Sequence, residues 1–354
     1  MNFVVSVFNM MSMCSHDEEN KSEPKDKLGS LEQQQQQQQQ VQSIDSPKVQ
    51  VFLRIRPLRQ EAGADGADEA GDTCIVEDAC TLVLKYFAFT ETSRRSKFTK
   101  VADCVVKKRY KFSHILNADA SQAEAFDRCV RPAVLDLLAE HRSSTVIGYG
   151  TSDSGKSYTM FGSRTEPGLV PRSIQLVFSA LACSPAPSHR PTRFDSVERL
   201  DEGDRALDAE AKDKLLASRL PQRALLEEAY AKLQEARDHE HGRPLDDALY
   251  SVWVSFVEIY NDGIYDLLAT DEEDRNAQLK LAIDKRGVAY VQGMRSLCAS
   301  SGLEAYKLMV AGQSRLSTAP AGHYRSSRSH SVFTLKLLKH AEDSSACDVQ
   351  VLFF

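Results

Sequence analysis

The chain has 354 residues, 42% of them hydrophobic, and a formal charge of −6. That length and apolar share suit one large domain or two modest ones with a real core, and the mild negative charge excludes a globally basic binder of nucleic acid or membrane surfaces. Eight cysteines stand singly at 14, 74, 80, 104, 129, 183, 298 and 347, with no C-x-x-C pair, which argues against a secreted disulfide scaffold and for reduced cytosolic thiols.

The opening "MNFVVSVFNMMSMC" has no basic residues before its short apolar patch and no clear cleavage site, so it reads as a ragged terminus and not as a signal peptide. No apolar run approaches the ~20 residues of a membrane span. Residues 1–46 read as a disordered arm, with eight consecutive glutamines, Gln33 to Gln40, after a charged stretch. Such composition cannot bury enough apolar surface to offset chain entropy. The glutamine tract is either an inert spacer or an association element.

Order begins at "KVQVFLRIRPL", where apolar Val49, Val51, Leu53 and Ile55 alternate with other residues until Pro57 stops the strand. "TCIVED" and "TLVLKYFAFT" read as a hairpin, and "YKFSHIL" as another strand. "SQAEAFDRCVRPAVLDLLAEH" reads as a helix with Ser121 as N-cap, Glu124 at capping-box spacing and a kink at Pro132. "STVIGYG" suits a buried central strand. "GLVPRSIQLVFSAL" has helical apolar spacing at Ile174, Val177, Phe178 and Leu181.

Residues 184–247 are densely charged after a Pro-rich linker. Asp208/Lys212, Glu210/Lys214 and Glu228/Lys232 stand at i,i+4, which supports exposed helices split near Pro221. Leu226, Tyr230 and Leu233 give a thin apolar stripe, so the segment is either a solvated insertion or a helix for a protein partner. Then "YSVWVSFVEIYNDGIYDLL" reads as a strand and a short helix, and "LKLAIDKRGVAYVQGM" as a hairpin around Lys285, Arg286 and Gly287. "LEAYKLMVAG" reads as a helix ended by Gly312, and "HSVFTLKLL" and "VQVLFF" as the last strands. Alternating strands and helices imply an α/β fold around a central sheet.

One loop carries chemistry. Gly150, Thr151, Ser152, Asp153, Ser154, Gly155, Lys156 and Ser157 fit G-x(4)-G-K-S/T, between a strand and a helix. Glycines there let successive N–H groups turn inward and cradle anionic oxygens. Lys156 would stand beside the β- and γ-phosphates of ATP, and the Ser157 hydroxyl would reach Mg²⁺. Asp153 tolerates left-handed backbone angles, but its charge would repel phosphate and weaken ATP binding.

Several separated segments resemble the kinesin motor domain: "VQVFLRIRPL", "YGTSDSGKSYTMFG", "GLVPRSIQLVF", "VSFVEIYNDGIYDLL" and "SSRSHSVF", in family order over residues 48–354. The long charged insertion further resembles the mitotic-kinesin-like subgroup. The resemblance implies a P-loop NTPase fold, a central mixed sheet flanked by helices, over residues 47–354. It implies ATP hydrolysis with Mg²⁺ coupled to movement on microtubules, in the cytoplasm at the microtubule cytoskeleton or spindle. By resemblance Arg54, Arg56 and Pro57 line the adenine side and Tyr158 stacks on the base. Ser326, Ser327 and Arg328 form the γ-phosphate sensor, with Ser327 beside Mg²⁺, and Glu258 is structural.

The chain departs from that pattern. His323 stands where the family has Asn, and Arg325 adds a charge beside Ser326. The second switch, D-x-x-G-S-E, does not follow "VQVLFF", nor does the microtubule-binding helix. The expectation is therefore a C-terminally truncated motor domain that binds Mg·ATP weakly and does not walk. The alternative is a non-motor interaction protein with a vestigial nucleotide site. An unrelated small-molecule kinase would leave "SSRSH" and "EIYN" unexplained.

Overall fold

The computed structural model describes residues 3–10, 49–57, 74–88, 104–184, 187–193, 196–220, 223–235, 248–271, 274, 276–285, 287–316, 329–340 and 348–354. In chain order the first elements are β1 (Phe3–Met10), β2 (Val49–Arg54), β3 (Cys74–Asp78), β4 (Thr81–Ala88), β5 (Cys104–Lys111) and β6 (His114–Leu116). Helices α1 (Gln122–Cys129) and α2 (Arg131–Glu140) follow, then β7 (Ser143–Tyr149), α3 (Lys156–Met160) and α4 (Leu169–Ala180). The insertion holds β8 (Ala182–Cys183), β9 (His189–Pro191), β10 (Val197–Arg199), α5 (Glu202–Arg219) and α6 (Arg223–Glu235). The last part comprises β11 (Leu249–Tyr260), β12 (Gly263–Asp266), β13 (Lys280–Ile283), β14 (Ala289–Gln292), β15 (Leu297–Ala299), α7 (Gly302–Leu316), β16 (His330–His340) and β17 (Asp348–Phe353).

The main sheet is mixed and runs β12-β11-β16-β17-β7-β1-β2-β6. β17 lies parallel to β7, and β2 parallel to β6. β11 and β16 form a long antiparallel pair from Leu249↔His340 to Ile259↔His330. Trp253, Tyr250, Phe256 and Phe333 are among the largest fully buried side chains, so this pair anchors the core. The largest buried cluster joins one sheet face to the helices through Phe126 and Val134, Ile174 and Val177, and Leu308 and Met309. No helix among the described residues is long and apolar enough to cross a membrane.

The first ten residues depart from expectation. Phe3–Met10 forms β1, antiparallel to both β2 (Val5↔Phe52) and β7 (Val5↔Gly148). The run "FVVSVFNM" has the length of a strand and three β-branched valines, but it precedes a long charged stretch and a glutamine tract whose composition makes the whole of 1–46 read as one arm. That tract, Gln33 to Gln40, lies outside the described residues.

Other differences have local causes. "VEIYNDGIYD" is a hairpin and not a strand with a helix. Asn261 and Asp262 adopt φ 47° and 65°, the doubly left-handed turn that joins tightly paired strands. Gly312 does not end α7. A Cβ there would lie 2.3 Å from Phe256 Cδ1, so glycine serves close helix–sheet packing. The predicted single helix breaks at Val130 (φ −121°), and Pro132 sits in the first turn of α2, where its missing N–H costs little. Ser121 Oγ accepts from Glu124 N at 3.1 Å, as the sequence predicts.

The insertion is docked, not solvated throughout. Leu215, Leu226, Tyr230 and Leu233 join the main core. α5 ends at Arg219 and α6 begins at Arg223, while Pro221 itself lies outside the described residues. Of the three i,i+4 pairs, Glu228–Lys232 forms at 2.7 Å. Asp208 instead meets Arg190 at 2.7 Å, Lys212 meets Glu304 at 3.0 Å, and Lys214 meets Asp271. Glu227 on α6 receives Lys307 of α7 at 2.6 Å. Ion pairs therefore tie the insertion to the body, where the sequence suggests exposed helix faces.

Candidate functional site

β7 delivers the chain to the glycine-rich loop, which lies at the exposed end of that strand: Tyr149 is 73% exposed. Gly150 follows, and Thr151, Ser152 and Asp153 are exposed. Asp153 adopts φ 59° and Gly155 φ 100°. A Cβ on Gly155 would meet nothing within 4 Å, so the backbone angle, not space, demands glycine there. Gly155 is also the N-cap of α3. The first helical bond is Thr159 N to Gly155 O at 2.9 Å, so the N–H groups of the preceding turn point free of the helix.

Lys156 folds back over this loop. Its Nζ donates to Gly150 O at 2.8 Å and Thr151 O at 2.6 Å. The ammonium thus links the two ends of the G-x(4)-G-K turn and keeps one donor for a further acceptor. Ser154 is 3% exposed, and its Oγ has no hydrogen-bond partner among the described residues. Ser157 is exposed in the first turn of α3. The helix is short because Gly162 turns the chain at φ 79°. There a Cβ would lie 2.2 Å from Glu166 O and 2.3 Å from Gly168 N, so two backbones meet where no side chain fits.

Beside the loop lies a cavity of about 350 Å³, whose lining includes Arg54, Arg56, Pro57, Ser154, Gly155 and Tyr158. Arg54 is 8% exposed and heavily bonded. Its Nη1 donates to Gln122 Oε1 at 2.8 Å and Thr159 Oγ1 at 3.1 Å, and its Nη2 donates to Ala120 O at 3.1 Å. Its Cζ lies 5.5 Å from the centroid of the Tyr158 ring. Burial pulls its pKa below the usual value, opposed by Tyr158, Cys129 and Glu124. Burial also pushes the neighbouring Cys129 thiol up to about 12, only partly countered by Arg54. Cys129 therefore remains a neutral packing group.

Of the sequence-predicted residues, the structure brings Arg54 at the end of β2, and Arg56 and Pro57 just after it, together with Ser154, Gly155 and Tyr158 around one cavity. Gly150, Thr151 and Lys156 form the adjoining loop. Ser152 and Asp153 lie on its exposed side. Ser326, Ser327 and Arg328, with His323 and Arg325, lie outside the described residues. Glu258 is 5% exposed on β11 and pairs in register with Ser331, just beyond that stretch. Sequence reasoning did not single out Gln122, Thr159 or the Ala120 carbonyl. A Gln after a Ser N-cap carries no signal of its own.

The geometry fits an adenine nucleotide with Mg²⁺. A lysine-closed loop and a buried Ser154 hydroxyl with no partner among the described residues offer donors to anionic oxygens. The flanking cavity has aromatic, guanidinium and proline walls suited to a flat base. Among the described residues no cluster of three or more His, Cys, Asp and Glu side chains is placed to hold a metal ion. A Mg²⁺ held by the Ser157 hydroxyl would take its other ligands from nucleotide and water oxygens.

Comparison with known proteins finds similarity to one family over most of the chain. The family model "Kinesin motor domain" matches residues 54–352. "Kinesin-like protein subito" of Drosophila melanogaster is 28% identical over 340 residues, covering 92% of this chain and 50% of that protein. "Kinesin-like protein KIF23" of Mus musculus is 31% identical over 313 residues, covering 85% of this chain and 31% of its own length. "Kinesin-like protein KIF20A" of Homo sapiens is 28% identical over 333 residues, covering 82% of this chain and 37% of the relative. The chain thus spans half or less of the length of these relatives. A solved structure described as "kinesin 6" superposes with a TM-score of 0.59 at 24% identity, covering 85% of this chain and 72% of that one, and shares the fold.

Proposed function

Because this chain belongs to the kinesin motor-domain family, we propose that it binds ATP with Mg²⁺ at residues 150–158. In the whole protein it would couple ATP hydrolysis to movement along microtubules. The observation that carries this reading is the Lys156 ammonium held on Gly150 O and Thr151 O, beside a cavity walled by Arg54, Pro57 and Tyr158.

The roles follow from the spacing of the G-x(4)-G-K-S loop and, for the residues outside it, from the family resemblance. Backbone N–H groups from Gly155 to Tyr158 and the third donor of Lys156 bind the phosphates. Ser157 would hold the metal through its hydroxyl, and by the family resemblance Ser327 would join it. Tyr158 and the Arg54, Arg56 and Pro57 wall hold the base. Ser326, Ser327 and Arg328 sense the terminal phosphate. When bound, Mg²⁺ supplies charge neutralisation between phosphate oxygens. The chain's own contribution is positioning and electrostatic stabilisation, the main source of rate in phosphoryl transfer. Glu258 keeps its structural role on β11.

Microtubules are the proposed partner, and the microtubule cytoskeleton the proposed location. A separate protein partner at residues 184–247 would have to use the outer face of the insertion, since Leu215, Leu226 and Leu233 are committed to the core. Steady-state ATPase of the full-length protein, with and without microtubules, tests the reading. Stimulation by microtubules supports it. Absence of any ATP turnover favours the vestigial-site alternative instead.

A further inference from the structure

We propose that Gln122 is the positioning residue of the base pocket, holding Arg54 and Tyr158 in the arrangement that binds the adenosine end of the nucleotide; this rests on reading residues 150–158 as the nucleotide site. Gln122 is the first residue of α1 and is 1% exposed. Its Oε1 accepts from Arg54 Nη1 at 2.8 Å, and its Nε2 donates to Tyr158 O at 2.6 Å. The two partners fix the amide's orientation. A guanidinium can only donate and a carbonyl can only accept, so the oxygen faces Arg54 and the nitrogen faces Tyr158. One buried amide thereby joins three elements: the end of β2, the start of α1 and the body of α3.

The pairing sets the walls of the cavity. Arg54 and Tyr158 both line it, with the guanidinium 5.5 Å from the phenol ring. Among the described residues the other links between these walls are that guanidinium–ring contact and the Arg54–Thr159 bond, at 3.1 Å. The phosphate loop closes differently. Lys156 bonds Gly150 and Thr151, and Gln122 takes no part in that closure. Loss of the amide therefore frees one Arg54 donor and the Tyr158 carbonyl while leaving the Lys156 closure of the phosphate loop in place. Base binding and triphosphate binding become separable.

Isothermal titration with Mg·ATP and with Mg·tripolyphosphate, on wild type, Gln122→Met and Gln122→Glu, tests this. Gln122→Met keeps length and removes both hydrogen bonds. Gln122→Glu keeps an acceptor for Arg54 and loses the donor to Tyr158, so it stays informative if the Met variant fails to fold. Both variants are expected to lose about tenfold in ATP affinity, with tripolyphosphate affinity within about twofold of wild type. Equal losses for both ligands would reduce Gln122 to a general structural residue and overturn the proposal, as would unchanged ATP affinity. Wild type binding neither ligand overturns the nucleotide reading itself, whereas wild type binding both without a split in the variants overturns only this inference.

Discussion

Lys156 Nζ lies 2.8 Å from the carbonyl oxygen of Gly150, six residues earlier in the chain, and 2.6 Å from that of Thr151. A compact ammonium with three donors is thus held at the mouth of its own loop by two carbonyl dipoles. Its position does not depend on a carboxylate partner, which would otherwise neutralise the charge that an anion needs. The loop around it adopts two left-handed residues, Asp153 and Gly155, within three positions.

Asp153 is the one acidic side chain in this loop, and it is exposed. Asp153→Asn keeps the tolerance for φ 59° and removes the charge. ATP affinity is expected to rise about threefold to tenfold, with Asp153→Gly giving a similar gain. The gain should shrink as salt is raised from 50 to 500 mM, because an exposed charge is screened. Equal affinities for wild type and both variants at low salt would show that the carboxylate points away from the phosphates.

Two glycines of the site differ in why they are glycine. Gly155→Ala meets open space and costs only the left-handed backbone penalty, about 1 kcal/mol. Gly162→Ala adds a Cβ 2.2 Å from Glu166 O, against backbone that cannot yield like a side-chain tip. It is expected to cost about 3 kcal/mol or more. Chemical denaturation of both variants checks the order, and a reversal would mean that the α3–α4 turn relaxes easily.

Much of the site was legible because its chemistry is local in sequence. Gly150 to Ser157 are contiguous, and their spacing alone states the need for a turn, a positive charge and a hydroxyl. Arg54 was placed there by resemblance, since alternation on β2 cannot say that the guanidinium turns inward. Gln122 was illegible because its meaning lies in two partners 68 and 36 residues away. The same limit hid the docking of the insertion. Asp208, Lys212 and Lys214 look like i,i+4 partners, yet each pairs with a residue outside its helix. The Asn261–Asp262 turn, by contrast, carried a hairpin signal in sequence that the expectation of a short helix after the strand overrode.

Lys336 gives a pH signature. It is 5% exposed on β16, with Nζ donating to Arg193 O at 3.2 Å, and burial pushes its pKa from 10.5 down to about 8. The folded state thus disfavours the ammonium. Below pH 8 the protein bears the full cost of burying that charge, and the cost fades as pH rises from 8 toward 10.5. Lys336→Met is therefore expected to be more stable than wild type at pH 7, by on the order of 2–3 kcal/mol. The difference should narrow as pH approaches 10. A constant difference across pH 7–10 would show that Lys336 reaches water.

Burial also protects thiols. It pushes Cys183 up to about 11 and Cys298 up to about 12. Both side chains are half-buried, so at pH 8 their alkylation by iodoacetamide should be slower in the folded protein than in the denatured chain. Equal rates in the two states, read by peptide mass, would contradict the raised pKa values.

Equilibrium titration of Mg·ATP against wild type and Lys156→Ala measures the account's foundation. Wild type should bind, the variant should lose at least tenfold in affinity, about the worth of one charge-assisted contact, and both should unfold at the same temperature without nucleotide. Identical affinities, or no binding by a folded wild type, would contradict it.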